Sequence, residues 1–286
     1  MSATYDLHSH TIHSDGTLTP SELVARARAN RVDVLALTDH DVTDGVTEAR
    51  AAAERAGMRL IAGVEISATW QRQTLHVIGL CIDACHEPLQ QGLARLRKSR
   101  VWRAQEIGRR LKRKNIDGAY DAARAIARGA VISRTHFARF LVAQGYVPSA
   151  GQAFKQYLAR GRAAYVPGQW ADLAEAVAWI RGAGGVAVLA HPGRYQLTGS
   201  KLRRLLHEFK ECGGQAMEVV SGSQPPAEIE HMSSLSVELG LFGSLGSDYH
   251  GPEQAWIDIG RLPTLAPQVC PVWTAFAPGY TCASSA

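Results

Sequence analysis

Short apolar runs recur along the chain, and longer amphipathic stretches separate them. The runs are VDVLALTDHD (residues 32–41), RLIAGVEISA (59–68), TLHVIGLCI (74–82), GVAVLAHP (185–192), AMEVVSG (216–222) and LFGSLGSDYH (241–250). They lack a strict alternation of polar and apolar residues, which is typical of strands buried on both faces of a parallel sheet. Because helical patterns lie between them, the sequence predicts an α/β fold, either an open sheet or a closed barrel.

Two of the predicted helices carry clear boundary signals. The segment TPSELVARARANR has Thr19 as a predicted N-cap, Pro20 at the first helical position and Glu22 three residues after the cap. This pattern is a capping box, in which the two side chains satisfy free backbone amides at the helix start. The segment DGVTEARAAAERAG ends at Gly57, a residue that commonly terminates helices.

The middle of the chain differs from the rest because no strand pattern interrupts it. Residues 87–162 are helical in pattern and rich in basic residues, as in LARLRKSRVWRAQEIGRRLKRKN. We therefore predict a main domain formed by residues 1–86 and 163–286. Residues 87–162 are predicted to be a helical insertion that covers the main domain as a substrate-binding lid.

Composition and charge narrow the class of protein. The 286 residues are 46% hydrophobic and 20% charged, with a net charge of +5. This charge favours anionic ligands but is too small to indicate nucleic acid by itself. The five cysteines are scattered and odd in number, which indicates a reducing interior. No secretory signal or apolar run of about 20 residues is present, so we expect a cytoplasmic protein without a membrane partner.

The candidate chemistry lies at the ends of the predicted strands. The side chains concerned are His8 and His10 after YDL, Asp39 and His40 after VLALT, Glu65 within LIAGVEIS, His76 within TLHVIGL, His191 after VAVLA, and Asp248 and His250 after FGSLGS. In a parallel β/α barrel the C-terminal strand ends converge on one face, which holds the active site. Imidazoles and carboxylates from distant segments are therefore expected to meet there.

These side chains are suited to divalent transition metals. Imidazole and carboxylate together suit Mn²⁺, Fe²⁺ or Zn²⁺ better than Mg²⁺ alone. Several carboxylates predict more than one ion, since a bridging carboxylate can hold two cations about 3.5–4 Å apart. The remaining histidines, His13, His86, His207 and His231, are interpreted as structural or surface residues, and no metal is expected at Cys81 and Cys85.

The motifs DLHSHTIHSDG, ALTDHD, GVEIS, AHP and GSDYH, with the single His76, resemble those of the PHP (polymerase and histidinol phosphatase) family. The resemblance spans residues 6–250 and implies a distorted (β/α)7 barrel with two or three metal ions. It implies one ion held by His8, His10, Glu65 and Asp248, a second held by Glu65, His76 and His191, and a third held by Asp15, His40 and His250. Some relatives have His where this chain has Asp15.

Within that family the chain resembles the branch of 3',5'-nucleotide bisphosphate phosphatases and 5'-3' exoribonucleases. The leading hypothesis is metal-dependent hydrolysis of the 3'-phosphate of adenosine 3',5'-bisphosphate, with Mn²⁺ as the expected metal. Glu65 and His191 would act in catalysis, and Asp39 would either orient an imidazole or accept a proton. Arg134, His136, Lys155 and Arg194 are predicted to bind substrate, because basic side chains near the site favour phosphate over an amide.

Three alternatives remain open for the function. The first is 5'-3' exoribonuclease activity on short 5'-phosphorylated RNA, with no role for DNA. The second is a histidinol-phosphate-type phosphatase, which is disfavoured because no acidic group for the substrate amine is identified. The third is a scaffold module without catalysis, which is disfavoured because every expected ligand position carries a competent side chain.

Overall fold

A barrel-shaped sheet forms the centre of the molecule, for which the computed structural model describes residues 3–276. The strands in the described residues are β1 (Tyr5–Asp6), β2 (Val34–Leu37), β3 (Arg59–Trp70), β4 (Gln73–Leu80), β5 (Ala171–Asp172), β6 (Val186–Leu189), β7 (Ala216–Ser221) and β8 (Phe242–Gly246). Seven of them are hydrogen-bonded in the order β1-β2-β3-β4-β6-β7-β8, and β5 pairs with the end of β3. Backbone bonds from Leu7 N to Leu245 O (3.1 Å) and from Asp248 N to His8 O (2.9 Å) join the two ends of this sheet. The predicted seven-stranded barrel is thus confirmed as a nearly closed sheet.

The expectation of a parallel sheet is wrong for β4. This strand pairs antiparallel with both β3 and β6, whereas the other pairs along the barrel are parallel. Only Gln71 and Arg72 separate β3 from β4, and both have positive φ angles, 45° and 64°, as a two-residue hairpin turn requires. Because β4 runs in the reverse direction, its N-terminal half lies at the rim where the neighbouring strands end. His76 therefore reaches that rim from within a strand.

Helices surround the sheet. In chain order they are α1 (Pro20–Ala29), α2 (Val46–Arg55), α3 (Glu87–Lys112), α4 (Ala119–Ile126), α5 (Arg134–Ala143), α6 (Ala150–Ala153) with a following π-helical turn (Phe154–Leu158), α7 (Leu173–Gly182), α8 (Gly199–Glu211) and α9 (Pro226–Leu239). The capping box of Thr19 and Glu22 is confirmed at the start of α1. In the described residues, no helix is both long and apolar enough to span a membrane.

The apolar residues fall into three clusters, and the two that contain strand residues follow the strand periodicity. Within β2, Val34 and Ala36 face the barrel interior, whereas Leu35 and Leu37 belong to the larger cluster between the sheet and the helices. Within the described residues, Trp273 of the C-terminal segment stacks on Tyr5 of β1 with ring centroids 3.9 Å apart. This contact covers the end of the barrel at which the strands begin.

Residues 87–162 contain helices and turns and no strand, and they have a hydrophobic cluster of their own. The helix α3 links this cluster to the barrel. Leu89, Leu93 and Leu96 in its first half pack in the large cluster, whereas Ile107 and Leu111 in its second half pack in the insertion. The insertion is therefore attached to the barrel by a continuous helix, and its boundaries as a domain remain a prediction.

The insertion cluster predicts a specific loss of stability. Phe137 is fully buried there, so the Phe137→Ala variant should lose about 3–5 kcal/mol of unfolding free energy through the cavity that remains. Urea unfolding of the whole chain measures this loss. The Val101→Ala variant is the control, since Val101 is exposed on α3 and should change stability by no more than about 0.5 kcal/mol. A loss below about 1 kcal/mol in Phe137→Ala would contradict a packed insertion core.

Candidate metal centre

Glu65 is the centre of a cluster of ionisable side chains at the barrel rim. Its side chain is fully buried within β3. Five imidazole nitrogens lie within 3.3 Å of its carboxylate oxygens: His8 Nε2 (3.3 Å), His10 Nε2 (3.3 Å) and His40 Nδ1 (2.8 Å) near Oε2, and His76 Nδ1 (2.9 Å) and His191 Nε2 (3.1 Å) near Oε1. A buried carboxylate in such surroundings can interact with cations on both of its oxygens.

Two further carboxylates complete the cluster. Asp248 Oδ1 lies 3.3 Å from His8 Nε2 and 3.1 Å from His10 Nε2. Asp15 Oδ1 lies 3.2 Å from His250 Nε2 and 3.8 Å from His40 Nε2. All nine side chains predicted as metal ligands therefore lie together, although they come from segments up to 242 positions apart in the printed sequence.

The ligand atoms form three groups in which one ion could be held. The groups are His8, His10, Glu65 and Asp248; His40, Glu65 and His76; and His10, Asp15, His40 and His250. The first group has the composition that the family resemblance implied. The second has His40 where the resemblance implied His191, whose Nε2 is nevertheless 3.4 Å from His76 Nδ1. The third contains His10 in addition to the implied residues.

The donor atoms fit divalent cations. Glu65 Oε2 and Asp15 Oδ1 are buried and accept no hydrogen bond among the described residues. Buried polar atoms are rarely left without a partner, because desolvation without a replacement contact is unfavourable. The Nε2 atoms of His8 and His10 lie 3.1 Å apart and are directed toward the same carboxylates. Divalent cations held by the separate ligand groups would satisfy these atoms.

The charges in the cluster shift several pKa values. Burial alone would lower the pKa of His10, but the adjacent carboxylates of Asp248 and Glu65 raise it to about 10. Burial alone would raise the pKa of Glu65, but the surrounding imidazoles hold it well below its usual range. The same balance holds the pKa of Asp248 and of Asp15 well below the ordinary value. The carboxylates are therefore anionic at neutral pH, which is the form that binds metal.

Two of the candidate ligands occupy unusual backbone conformations. His191 and Asp248 have φ angles of 32° and 54°, in the left-handed region that residues with a Cβ rarely adopt. Such conformations cluster at functional sites, where the surrounding structure enforces them. Gly246 contributes to the same geometry, because a Cβ there would lie 2.3 Å from the His8 Cβ. The close approach of β8 to the segment after β1 therefore requires glycine.

Glu218 was missed by the sequence reasoning. It lies on β7 and is fully buried. Its Oε1 lies 2.8 Å from His8 Nδ1, and its Oε2 accepts a hydrogen bond from the His191 backbone amide at 2.6 Å. A carboxylate on Nδ1 of a histidine leaves Nε2 free to bind metal and fixes the ring orientation. The available signal was a glutamate within the apolar run AMEVVSG, since a charge in a buried strand needs a partner.

Asp39 lies beside the cluster and accepts hydrogen bonds from the segment that follows the candidate ligand His10. Its Oδ1 accepts hydrogen bonds from Thr11 N (2.7 Å) and Ser14 Oγ (2.5 Å), and its Oδ2 accepts one from Thr11 Oγ1 (2.5 Å). Ser14 Oγ lies in turn 3.4 Å from His10 Nδ1. These contacts favour an orienting role, through Ser14 and His10, over the alternative of a proton acceptor at the reacting group.

A cavity of about 150 Å³ opens beside one side of the ligand cluster. Its lining includes the candidate ligands Asp15, His40, His76 and His250, the arginines Arg100, Arg103 and Arg134, and the aromatic residues Phe154 and Trp170. Arg134 lies over the Phe154 ring at 5.5 Å and has no ion-pair partner among the described residues. Arg100 and Arg103 lie over the Trp170 ring at 5.0 and 5.3 Å.

Three arginine side chains lie close together in this cavity. Burial, together with the neighbouring charges of Arg134 and Arg100, lowers the pKa of Arg103 to about 9. An anion in the cavity would relieve this repulsion.

Arg100 and Arg103 were missed because α3 as a whole is basic. The signal was their position on the buried stripe of α3, between Leu96 and Ile107.

The four predicted substrate-binding residues have different surroundings. Arg134 lines the cavity, and Arg194 Nη1 pairs with Asp248 Oδ2 on the ligand cluster. His136 is outside the cavity lining, and its Nδ1 accepts a hydrogen bond from Ser133 N at 3.0 Å as part of the α5 cap. Lys155 is exposed on the π-helical turn. His136 and Lys155 thus lie outside the cavity lining, and their role in substrate binding stays a prediction.

Known proteins resemble this chain over nearly its whole length. A family model described as PHP domain matches residues 6–180. A 5'-3' exoribonuclease of Haemophilus influenzae is 44% identical over 276 residues, which cover 96% of this chain and 100% of the relative. A 3',5'-nucleoside bisphosphate phosphatase of Chromobacterium violaceum is 44% identical over 272 residues, which cover 95% of each chain. A solved structure of an amidohydrolase from Chromobacterium violaceum, with bound sulfate and no metal, matches with a TM-score of 0.92 and 43% identity over 96% of this chain and 95% of that one.

The position of Glu218 generates a prediction about metal affinity. The Glu218→Gln variant keeps the size of the side chain but removes the charge that holds His8 Nδ1, so Mn²⁺ should bind about 10- to 100-fold more weakly. Equilibrium dialysis followed by metal analysis measures this affinity. Glu230→Gln, at an exposed position on α9, is the matched control and should bind Mn²⁺ like the unmodified chain. Equal affinity in Glu218→Gln and the control would contradict the orienting role.

Proposed function

This chain belongs to the PHP domain family, and from that premise we propose that it removes the 3'-phosphate of nucleoside 3',5'-bisphosphates. Adenosine 3',5'-bisphosphate is the expected substrate, and the products are the 5'-monophosphate and inorganic phosphate. The relative from Chromobacterium violaceum that carries the name of this activity supports the proposal over nearly the whole chain. The family and this relative make the chain a phosphoric ester hydrolase.

The observation that carries the proposal is the juxtaposition of two anion-binding features. The ligand cluster and the arginine-lined cavity share Asp15, His40, His76 and His250 at their border. A substrate with two phosphates can place one at the cluster and the other against Arg134 and its neighbours. Guanidinium groups bind phosphate with paired, charge-assisted hydrogen bonds, so the distant phosphate would contribute to orientation as well as to affinity.

The proposed centre is metal-dependent, with Mn²⁺ as the first candidate and Fe²⁺ or Zn²⁺ as alternatives. When bound, such ions lower the pKa of a bound water and offset negative charge on the phosphate oxygens. The imidazoles and carboxylates of the cluster would hold these ions, with Glu65 offering both carboxylate oxygens and His191 placed beside it. Trp170 and Phe154 offer aromatic surfaces in the cavity, next to the arginines, where a nucleoside could stack.

The arginines also separate the proposed substrate from other candidates. The amino group of a histidinol phosphate would meet three guanidinium groups in the cavity and would be repelled. Arg100 already pairs with Asp41 at 2.6 Å, but amide hydrolysis would leave Arg103 and Arg134 without an anionic partner among the described residues. A scaffold role would not require a charged cavity at the border of a ligand cluster. These contacts therefore favour a phosphate ester with a second phosphate.

The second candidate function is 5'-3' exoribonuclease activity on short 5'-phosphorylated RNA. The relative from Haemophilus influenzae with that name favours it, since it aligns over its full length. Both reactions break the same bond, from phosphorus to the 3'-oxygen of the nucleotide whose 5'-phosphate is bound. We propose nucleotides or short RNA as substrates in the cytoplasm, with no role for DNA or membranes.

The test of the proposal is a phosphate-release assay on the metal-free protein with and without added Mn²⁺. Adenosine 3',5'-bisphosphate should release one phosphate and yield AMP only when the metal is present. Simple phosphate esters without a second phosphate should react at least 10-fold more slowly, because the remote binding energy is missing. The proposal fails if other phosphate esters react under these conditions while the bisphosphate does not.

Arg134 provides a sharper prediction about the second phosphate. The Arg134→Met variant should lower kcat/KM for adenosine 3',5'-bisphosphate by roughly 10- to 100-fold, the equivalent of one or two charge-assisted hydrogen bonds. The same variant should leave kcat/KM for adenosine 3'-monophosphate nearly unchanged, since that compound has no 5'-phosphate. Arg124→Met, at an exposed arginine of α4, is the matched control. Equal losses on both substrates would show that Arg134 does not bind the 5'-phosphate.

A further inference from the structure

A part of the ligand cluster outside the lining of the arginine-lined cavity carries different groups. Arg194 follows His191 in a short 3-10 turn and pairs through Nη1 with Asp248 Oδ2. It is 43% exposed, and neither it nor Asp248 belongs to the lining of the cavity in the described residues. A phosphate bound at the cluster would therefore have arginines on both sides.

A surface loop lies next to this arginine. Residues 251–258 follow His250 directly, and the His250 amide lies 3.4 Å from Gln254 Oε1. Ile257 Cδ1 and Arg194 Nη2 lie 2.9 and 2.7 Å from the position that a Cβ on Gly222 would occupy. The half-buried Ile257 thus attaches the loop beside the Arg194 guanidinium, and its neighbour Trp256 belongs to the same loop.

Trp256 is 72% exposed, the highest value among the large hydrophobic side chains of the described chain. A single exposed aromatic residue is ordinary on a protein surface. The position of Trp256 sets it apart, because an indole beside an arginine and a phosphate site is the combination that binds single-stranded nucleic acid. Bases stack on the aromatic ring, and the arginine interacts with the backbone.

We propose that Trp256 and Arg194 form a subsite for the nucleotide that follows the scissile phosphate in a single-stranded RNA. The proposal rests on the proposed function and extends it to the chain beyond the cleaved bond. With the 5'-phosphate in the arginine-lined cavity and the next phosphate at the ligand cluster, the following nucleotide must lie on the far side. A nucleoside bisphosphate ends at the cleaved phosphate and does not enter this subsite.

Both reactions are hydrolyses of the same type of bond. Water provides the new P–O bond, the bond from phosphorus to the 3'-oxygen breaks, and a proton passes to that oxygen. With a bisphosphate, the phosphate leaves as inorganic phosphate. With RNA, the phosphate stays on the shortened chain as its new 5'-phosphate, so that chain again has the group that the arginine-lined cavity binds. The downstream subsite would hold this product before it shifts.

The test compares kcat/KM on two substrates, adenosine 3',5'-bisphosphate and a 5'-phosphorylated trinucleotide. The Trp256→Ala variant should lose about 5- to 100-fold on the trinucleotide, as expected for one lost base stack, and stay within about 2-fold on the bisphosphate. Trp256→Phe should recover most of the trinucleotide activity because it restores an aromatic face. Trp102→Ala is the matched control, since Trp102 is 42% exposed on α3 and should affect neither substrate.

The possible outcomes separate the subsite from the proposed function. If the unmodified protein hydrolyses neither substrate, the proposed function fails and the subsite fails with it. If it hydrolyses the bisphosphate but no trinucleotide, or if Trp256→Ala leaves trinucleotide cleavage unchanged, the subsite alone is overturned. Equal losses on both substrates in Trp256→Ala would also overturn it, because they would indicate a general disturbance of the site.

Discussion

The buried carboxylate of Glu65 is the constraint on which the rest of the site depends. A negative charge removed from water at the rim of a barrel is strongly unfavourable unless cations or hydrogen-bond donors surround it. Here five imidazoles surround it, and imidazoles are also good metal ligands. The fold must therefore place histidines from several strand ends around one point. The left-handed backbone conformations of His191 and Asp248 contribute to this placement.

The reversed strand β4 has a clear place in this arrangement. Glu65 and Ser67 lie on β3, and the register pairs Ser67 with His76 on β4. If β4 were parallel to β3, its candidate ligand would have to follow the C-terminal end of the strand, as His40 follows β2. The antiparallel neighbour instead presents His76 from within the strand, where its backbone is held on both sides. The reversal was available in the sequence, because the few residues between the two apolar runs are too short for a parallel crossover.

Much of the site followed from the sequence because strand ends converge in this fold class. That rule brings His8, His191 and Asp248 together without knowledge of the side-chain geometry. It does not identify Glu218, which lies within a strand and contacts His8 at Nδ1, the ring nitrogen that is not directed toward Glu65. It also gives no information about helix α3, whose orientation over the barrel decides that Arg100 and Arg103 face the cavity. The rule is equally silent on His136, whose Nδ1 accepts a hydrogen bond from Ser133 N in its own helix cap.

The separation of roles across the site explains how one centre can serve two kinds of substrate. In the proposed function, the ligand cluster recognises a phosphate that is attached to a 3'-oxygen, and nothing in that recognition depends on what else the phosphate carries. Selectivity must then come from groups away from the reacting bond, whose binding energy is used to position that bond. The arginine-lined cavity can require a 5'-phosphate on one side. The opposite side, at Arg194, can accept either solvent or a continuing chain. Whether such a centre behaves as a phosphatase or as an exonuclease is therefore decided by its outer contacts rather than by its ligands.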